Sequence, residues 1–129
     1  MHSGAEVAHL DLKLDNVLLT DEYQVKLCDL GFSQSIHNRV YRAVGTDGYK
    51  APEIHKLTHL SNCGEDDELY GQGYSGRLAD IFALGVILFT LHFGVPPFSE
   101  ATKDDRLYKL LTFKSNSADK KAVMRFFLR

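Results

Sequence analysis

The stretch His9-Leu10-Asp11-Leu12-Lys13-Leu14-Asp15-Asn16 decides how the rest of the chain is read. It gathers acids, a base and an amide within a few residues. The apolar run Val17-Leu18-Leu19 follows at once, and a second run, Val25-Lys26-Leu27-Cys28, closes on another acid, Asp29. The separator Thr20-Asp21-Glu22-Tyr23 is short and polar, which predicts a hairpin. Val25 and Leu27 alternate with Gln24 and Lys26, so the second strand is expected to bury one face and wet the other. Two strands with an acid at the mouth of each make a frame that can hold a metal ion and a hydroxyl.

The bulk numbers set the class. A chain of 129 residues with 44% hydrophobic and 25% charged residues has the make-up of one modest globular domain, not of a disordered segment. A formal net charge of −2 gives no basic field, so nucleic acid is not expected as a partner. Two cysteines, Cys28 and Cys63, are too few for a disulfide framework and point to a reducing, intracellular, cytoplasmic setting. The start, Met1-His2-Ser3-Gly4-Ala5-Glu6, lacks the basic-then-apolar pattern of a signal peptide. The most apolar window, 81–98, contains Thr90, His92, Gly94 and Pro96-Pro97, and its helical part is expected to be too short to cross a bilayer.

Outward from the opening stretch, Val7, Ala8 and Leu10 read as the tail of an element begun earlier. Residues 31–48 are polar and without sustained period, a long loop of the kind that carries function. Lys50-Ala51-Pro52-Glu53-Ile54 starts a short helix, with Pro52 suited to the first turn. Residues 58–76, with the acidic run Glu65-Asp66-Asp67-Glu68, read as a solvated surface insertion. The strongest helix spans about 78–93 and is apolar nearly all round, which places it in the middle of a domain. Asp80 near its start suits the positive end of the helix dipole, and Gly94 with Pro96-Pro97 stops it. Leu107, Leu110 and Leu111 have helical spacing, and Ser117 or Asp119 can cap a last helix with Val123, Met124, Phe126, Phe127 and Leu128.

Phosphoryl transfer needs a carboxylate near the attacking hydroxyl, a cation near the migrating phosphoryl group, and oxygens to hold magnesium. The run HLDLKLDN resembles the protein kinase catalytic loop H-R-D-L-x-x-x-N. Asp29-Leu30-Gly31 resembles D-F-G, and Ala51-Pro52-Glu53 matches A-P-E without change. The helix opening Asp80-Ile81-Phe82-Ala83-Leu84-Gly85 and the following Gly94-Val95-Pro96-Pro97-Phe98 resemble the core of the kinase C-lobe. The resemblance runs from Met1 to about Phe113, and its motifs come in the family's order. It implies a kinase-like α+β fold: a mostly helical C-lobe with a short two-stranded hairpin at the active site. It implies Asp11 as catalytic base, Lys13 at the transferred phosphate, and Asn16 with Asp29 as Mg²⁺ ligands. Residues 29–53 become the activation segment, with Gly31, Thr46, Tyr49, Ala51, Pro52 and Glu53 shaping it and docking substrate. His9 and Asp80 become structural supports. Lys13 resembles serine/threonine members, and 26–33 resemble calmodulin-dependent-kinase-like ones. ATP and a protein with a serine or threonine are the implied partners.

The departures carry expectations of their own. Leu10 stands where the family has an arginine that pairs with a phosphate on the activation segment, so no such clamp is expected. Leu30 replaces phenylalanine and Leu14 replaces a frequent proline. Only eight residues precede His9, whereas the family's glycine-rich loop, strand lysine and glutamate come before the catalytic loop. The chain is therefore expected to be a C-lobe portion without its N-lobe, with apolar surface bare and little activity alone. Three other patterns compete for a role. Gly71-Gln72-Gly73-Tyr74-Ser75-Gly76 fits G-x-G-x-x-G but follows an acidic loop, not a strand. His55, His59 and Cys63 fall at helical spacing for a zinc site, with surface histidines as the plainer reading. Arg39 and Arg42 can grip a phosphate or an acidic substrate, or be ordinary loop charge.

Overall fold

The computed structural model describes residues 1–63 and 72–112, with side chains for 1–58 and 72–112. The acidic run at 65–68, Gly71, the side chains of His59 and Cys63, and the helix expected over 117–128 lie outside the described residues. In chain order the elements are β1 (Val7–Ala8), β2 (Val17–Leu19), β3 (Val25–Leu27), β4 (Gln34–Ser35), β5 (Arg39–Val40), α1 (Pro52–Cys63), β6 (Tyr74–Ser75), α2 (Gly76–Phe93) and α3 (Arg106–Thr112). A one-turn 3₁₀ helix over Leu14–Asn16 leads into β2.

The hairpin forms as read, with Val17 opposite Leu27 and Leu19 opposite Val25. Its expected buried face does not: Leu19 is 62% and Val25 63% exposed. No described element packs over that face, so alternation here marks a surface that lacks a cover. The loop expected over 31–48 also carries more structure than its polarity suggested. Its β4 pairs with β1, and its β5 pairs with β6, both antiparallel. These two-residue ladders fasten the segment at 34–35 and 39–40, which composition cannot reveal because the partners are far away in sequence.

Helix α1 runs on to Cys63, well past a short start at Pro52. Together with β6 and a buried Tyr74, this trims both ends of the insertion expected over 58–76. Helix α2 begins two residues earlier than expected. The Ser75 hydroxyl caps it by accepting from the Leu78 N–H, and Gly94, at φ +75°, ends it. It has 18 residues and by length and composition is long enough to cross a membrane, which corrects the expectation that it is too short. Nor is it buried all round. Gly76, Ala79, Asp80, Ala83, Val86 and Ile87 face inward. Leu78, Ile81, Leu84, Leu88 and Leu91 face outward, each about half exposed or more.

Two cores sit along the inward face. One joins Ala8, Leu10, Val40, Ala51, Ile54, Leu57, Tyr74 and Ala79, and so ties α1 and α2 to the opening stretch. The other joins Val86, Phe98 and Ala101, with Tyr49, Leu107 and Tyr108 packed on it. Phe82 touches both. A Cβ on Gly76 would stand 2.9 Å from both the Ala8 Cβ and the Leu10 Cδ2, so only glycine lets α2 approach this closely.

Candidate active site

The opening stretch is held by a single carboxylate. Asp80, 3% exposed, accepts the backbone N–H of His9 at 2.7 Å and of Leu10 at 2.8 Å, one on each oxygen. Its position on the fifth residue of α2 explains why: the inward face aims it at the loop, not at the helix end as the dipole argument had it. His2 adds a third contact, Nε2 to Asp80 Oδ2 at 2.8 Å, a support that the sequence did not suggest. Held in this way, Leu10 takes φ +68°, a conformation bulky residues avoid. The His9 ring is fully buried. Its Nδ1 accepts from the Asp11 N–H at 3.3 Å, so its Nε2 carries the proton and donates to the Cys28 carbonyl at 2.9 Å. The ring therefore bolts the loop to the end of β3.

Asp11, 7% exposed, points its carboxylate at Thr46. The Thr46 hydroxyl donates to Asp11 Oδ1 at 2.7 Å and accepts from Lys13 Nζ at 3.1 Å. Lys13 Nζ also lies 3.6 Å from Asp11 Oδ2. Acid, base and hydroxyl thus form one polar triangle across 35 residues of chain. Gly45 makes this possible. Its φ is +106°, and a Cβ there would sit 3.0 Å from the Leu10 carbonyl.

Asn16 and Asp29 lie together at the open end of the hairpin. The Cys28 N–H donates to the Asn16 carbonyl at 3.1 Å, one step beyond the Val17–Leu27 pair. Asn16 spends its Nδ2 on the Asp11 carbonyl at 2.9 Å, which turns its amide oxygen the other way. Asp29, exposed at φ +59°, accepts a long bond from the Gly31 N–H, 3.3 Å, through Oδ1. Hard oxygens remain on both side chains, the donor type Mg²⁺ takes. Of the residues expected to dock substrate, Tyr49 closes a turn onto the Thr46 carbonyl at 3.1 Å and packs on the second core. Ala51 is buried, Pro52 opens α1 and Glu53 sits in its first turn.

Residues 1–124 match the protein kinase domain. The chain belongs to this family. It is 43% identical over 94 residues to the human liver/testis phosphorylase b kinase gamma catalytic chain, which covers 71% of this chain and 21% of that protein. It is 34% identical over 110 residues to the rice serine/threonine-protein kinase SAPK4, covering 82% and 27%. With the Arabidopsis thaliana serine/threonine-protein kinase SRK2D it shares 36% over 99 residues, covering 74% and 24%. The chain spans about a fifth to a quarter of the length of these curated relatives.

Parts of two rival patterns have structural uses. Gly73 gives its carbonyl to Arg39, and Gly76 is the contact point of α2 with the loop, so both glycines are used for packing. Arg39 itself donates to the Gln72 and Gly73 carbonyls at 2.8 and 3.0 Å, which takes its guanidinium out of substrate grip. Among the described residues no group of three or more His, Cys, Asp or Glu could hold a metal, and the His59 and Cys63 side chains of the zinc pattern lie outside them. Burial holds the His55 imidazole below its usual range, and its enclosed Nε2 has no hydrogen-bond partner among the described residues. Cys28 is a free, half-buried thiol. Tyr74, pushed up to about 12 by burial, keeps its phenol proton and donates it to the Arg42 carbonyl at 3.0 Å.

Proposed function

We propose that the chain is the C-lobe portion of a protein serine/threonine kinase, and that the polar triangle of Asp11, Lys13 and Thr46 is where phosphoryl transfer takes place. That triangle is the observation that carries the reading: a buried carboxylate, an ammonium and a hydroxyl in mutual reach serve proton and phosphate handling and add little to packing. In the proposed reaction a protein hydroxyl attacks the γ-phosphate of ATP. A new oxygen–phosphorus bond forms, the bond to the β-phosphate oxygen breaks, and ADP leaves. Asp11 orients the hydroxyl and receives its proton through the oxygen that Thr46 leaves open. Lys13, 24% exposed, would turn from Thr46 to the migrating phosphoryl group. Asn16 and Asp29 would hold magnesium, which supplies charge neutralisation at the ATP phosphates.

The same proposal assigns the chain only part of the nucleotide grip. Support comes from its share of the relatives' length and from the bare Leu18, Leu19, Val25 and Leu27 of the hairpin. Those bare side chains also favour a second reading, a kinase-like interaction module without catalysis. We further place the protein in a reducing intracellular setting, in keeping with the free Cys28.

The deciding experiment joins this segment to the remainder of its gene product and measures phosphate transfer to protein serine or threonine. Turnover that falls by about a thousandfold or more in Asp11→Asn supports the kinase reading; turnover that survives removes Asp11 from its role. Titration of the present chain with Mg·ATP is expected to show weak binding, and micromolar affinity would refute the incomplete grip.

A further inference from the structure

On the kinase reading above, we infer that Tyr74 is a positioning residue: its phenol fixes the turn that presents Thr46 to Asp11, and Arg39 braces the strand that carries it. The acid and the hydroxyl of that pair come from stretches 35 residues apart, so each must be held against the other. Asp80 holds the acid's loop, through the N–H groups of His9 and Leu10. Thr46 is reached another way. Between β5 and α1 the backbone runs without a helix or a ladder. Val44 donates its N–H to the Arg42 carbonyl at 3.0 Å, a tight turn just ahead of Gly45 and Thr46. The same carbonyl accepts the Tyr74 phenol at 3.0 Å. A carbonyl oxygen has two lone pairs, and here both are engaged. The phenol thus pins the turn from outside it.

The pin is itself fixed. Tyr74 is 2% exposed and belongs to the first core with Leu10 and Val40. Val40 is also its partner across β5 and β6. Gly73 lets these strands close up: at φ +55°, a Cβ there would stand 2.7 Å from the Val40 carbonyl. Arg39 crosses to the Gln72 and Gly73 carbonyls and ties down the residues just before Tyr74. Burial pushes the phenol up to about 12, so it stays a donor at neutral pH. Strand β6 runs directly into α2, where Ser75 caps the helix and Asp80 faces inward. One continuous stretch therefore grips both sides of the Asp11–Thr46 bond, Tyr74 through the hydroxyl's turn and Asp80 through the acid's loop.

The test uses Tyr74→Phe, which keeps the ring and removes the hydroxyl, and Arg39→Met, which keeps the stem and removes the brace. In the joined protein, phosphate transfer from Mg·ATP is measured on a peptide library with serine or threonine at its centre. In Tyr74→Phe kcat is expected to fall about fivefold, the size of one neutral hydrogen bond, with KM for Mg·ATP unchanged. That loss should vanish on a Thr46→Val background, because the phenol acts through the Thr46 hydroxyl. In the chain itself, the Thr46 methyl NMR signal should shift in Tyr74→Phe and in Arg39→Met. It should stay in place in Tyr23→Phe, a change at the exposed hairpin turn. An unchanged kcat, an equal loss in both backgrounds, or a Thr46 signal indifferent to Tyr74 and Arg39 overturns the inference and leaves the kinase reading standing. A signal that moves as expected, in a chain whose joined protein transfers no phosphate, does the reverse. No transfer together with an unmoved signal overturns both.

Discussion

Leu10 is held at φ +68° by two N–H bonds to one buried carboxylate, and its side chain fills the contact between Ala8 and Gly76. A bulky residue in that conformation costs about 1–3 kcal/mol, so Asp80 must outweigh it. Asp80→Ala removes two charge-assisted bonds, each worth about 1.5–3 kcal/mol. Urea unfolding should show a loss of about 3 kcal/mol or more, and Asp80→Asn, which keeps one acceptor, a smaller one. The apolar packing of Leu10 also bears on regulation. A leucine that is 5% exposed offers no charge to a phosphate. Phosphorylation at Ser33, Ser35 or Thr46 is therefore expected to bring no gain in activity that depends on position 10. Assays of phosphorylated protein with leucine and with alanine there would check it, and a gain that is lost in Leu10→Ala would contradict it. At this scale much of the candidate site was legible as an arrangement. Asp11, Lys13, Asn16 and Asp29 could be picked out because their order and spacing are chemical. His2 was not, because it matters only through Asp80, a partner brought near by folding.

Helix α3 shows how an element depends on one polar group. Asp105 precedes it and accepts the Tyr108 N–H at 2.8 Å, while its other oxygen takes Ser99 and Glu100. Burial works to raise this carboxyl, but those backbone bonds outweigh it and hold it below 3.8. The sign follows from linkage: a depressed acid contributes stability that is complete above pH 3.8 and is lost as pH falls through the lower folded value. Helical circular dichroism on acidification should decline there in the native chain. Asp105→Ala, expected to cost about 1 kcal/mol as a lost cap, should flatten the Asp105 part of that decline. Elements were legible where their signal is local. The hairpin turn, Pro52 at the start of α1 and Gly94 at the end of α2 all speak through neighbours in sequence. The ladders of β1 with β4 and β5 with β6 have two residues a strand, too few for any period.

Across the whole molecule, α2 serves two masters. Its inward face carries Asp80 and both cores. Its outward face repeats leucine or isoleucine at 78, 81, 84, 88 and 91, every third or fourth position. A residue pattern that is apolar all round fits a helix with two covers, and the described residues provide one. That is why the sequence overstated its burial. At about 1.5 Å per residue the outward row is about 20 Å long. Such a row has a preparative consequence. Sulfate salts strengthen the withdrawal of apolar surface from water, so the chain should be retained on a phenyl resin in ammonium sulfate and released as the salt is lowered. Leu84→Glu with Leu88→Glu should elute markedly earlier at unchanged helical content; identical elution would mean that this ridge is not wetted in solution.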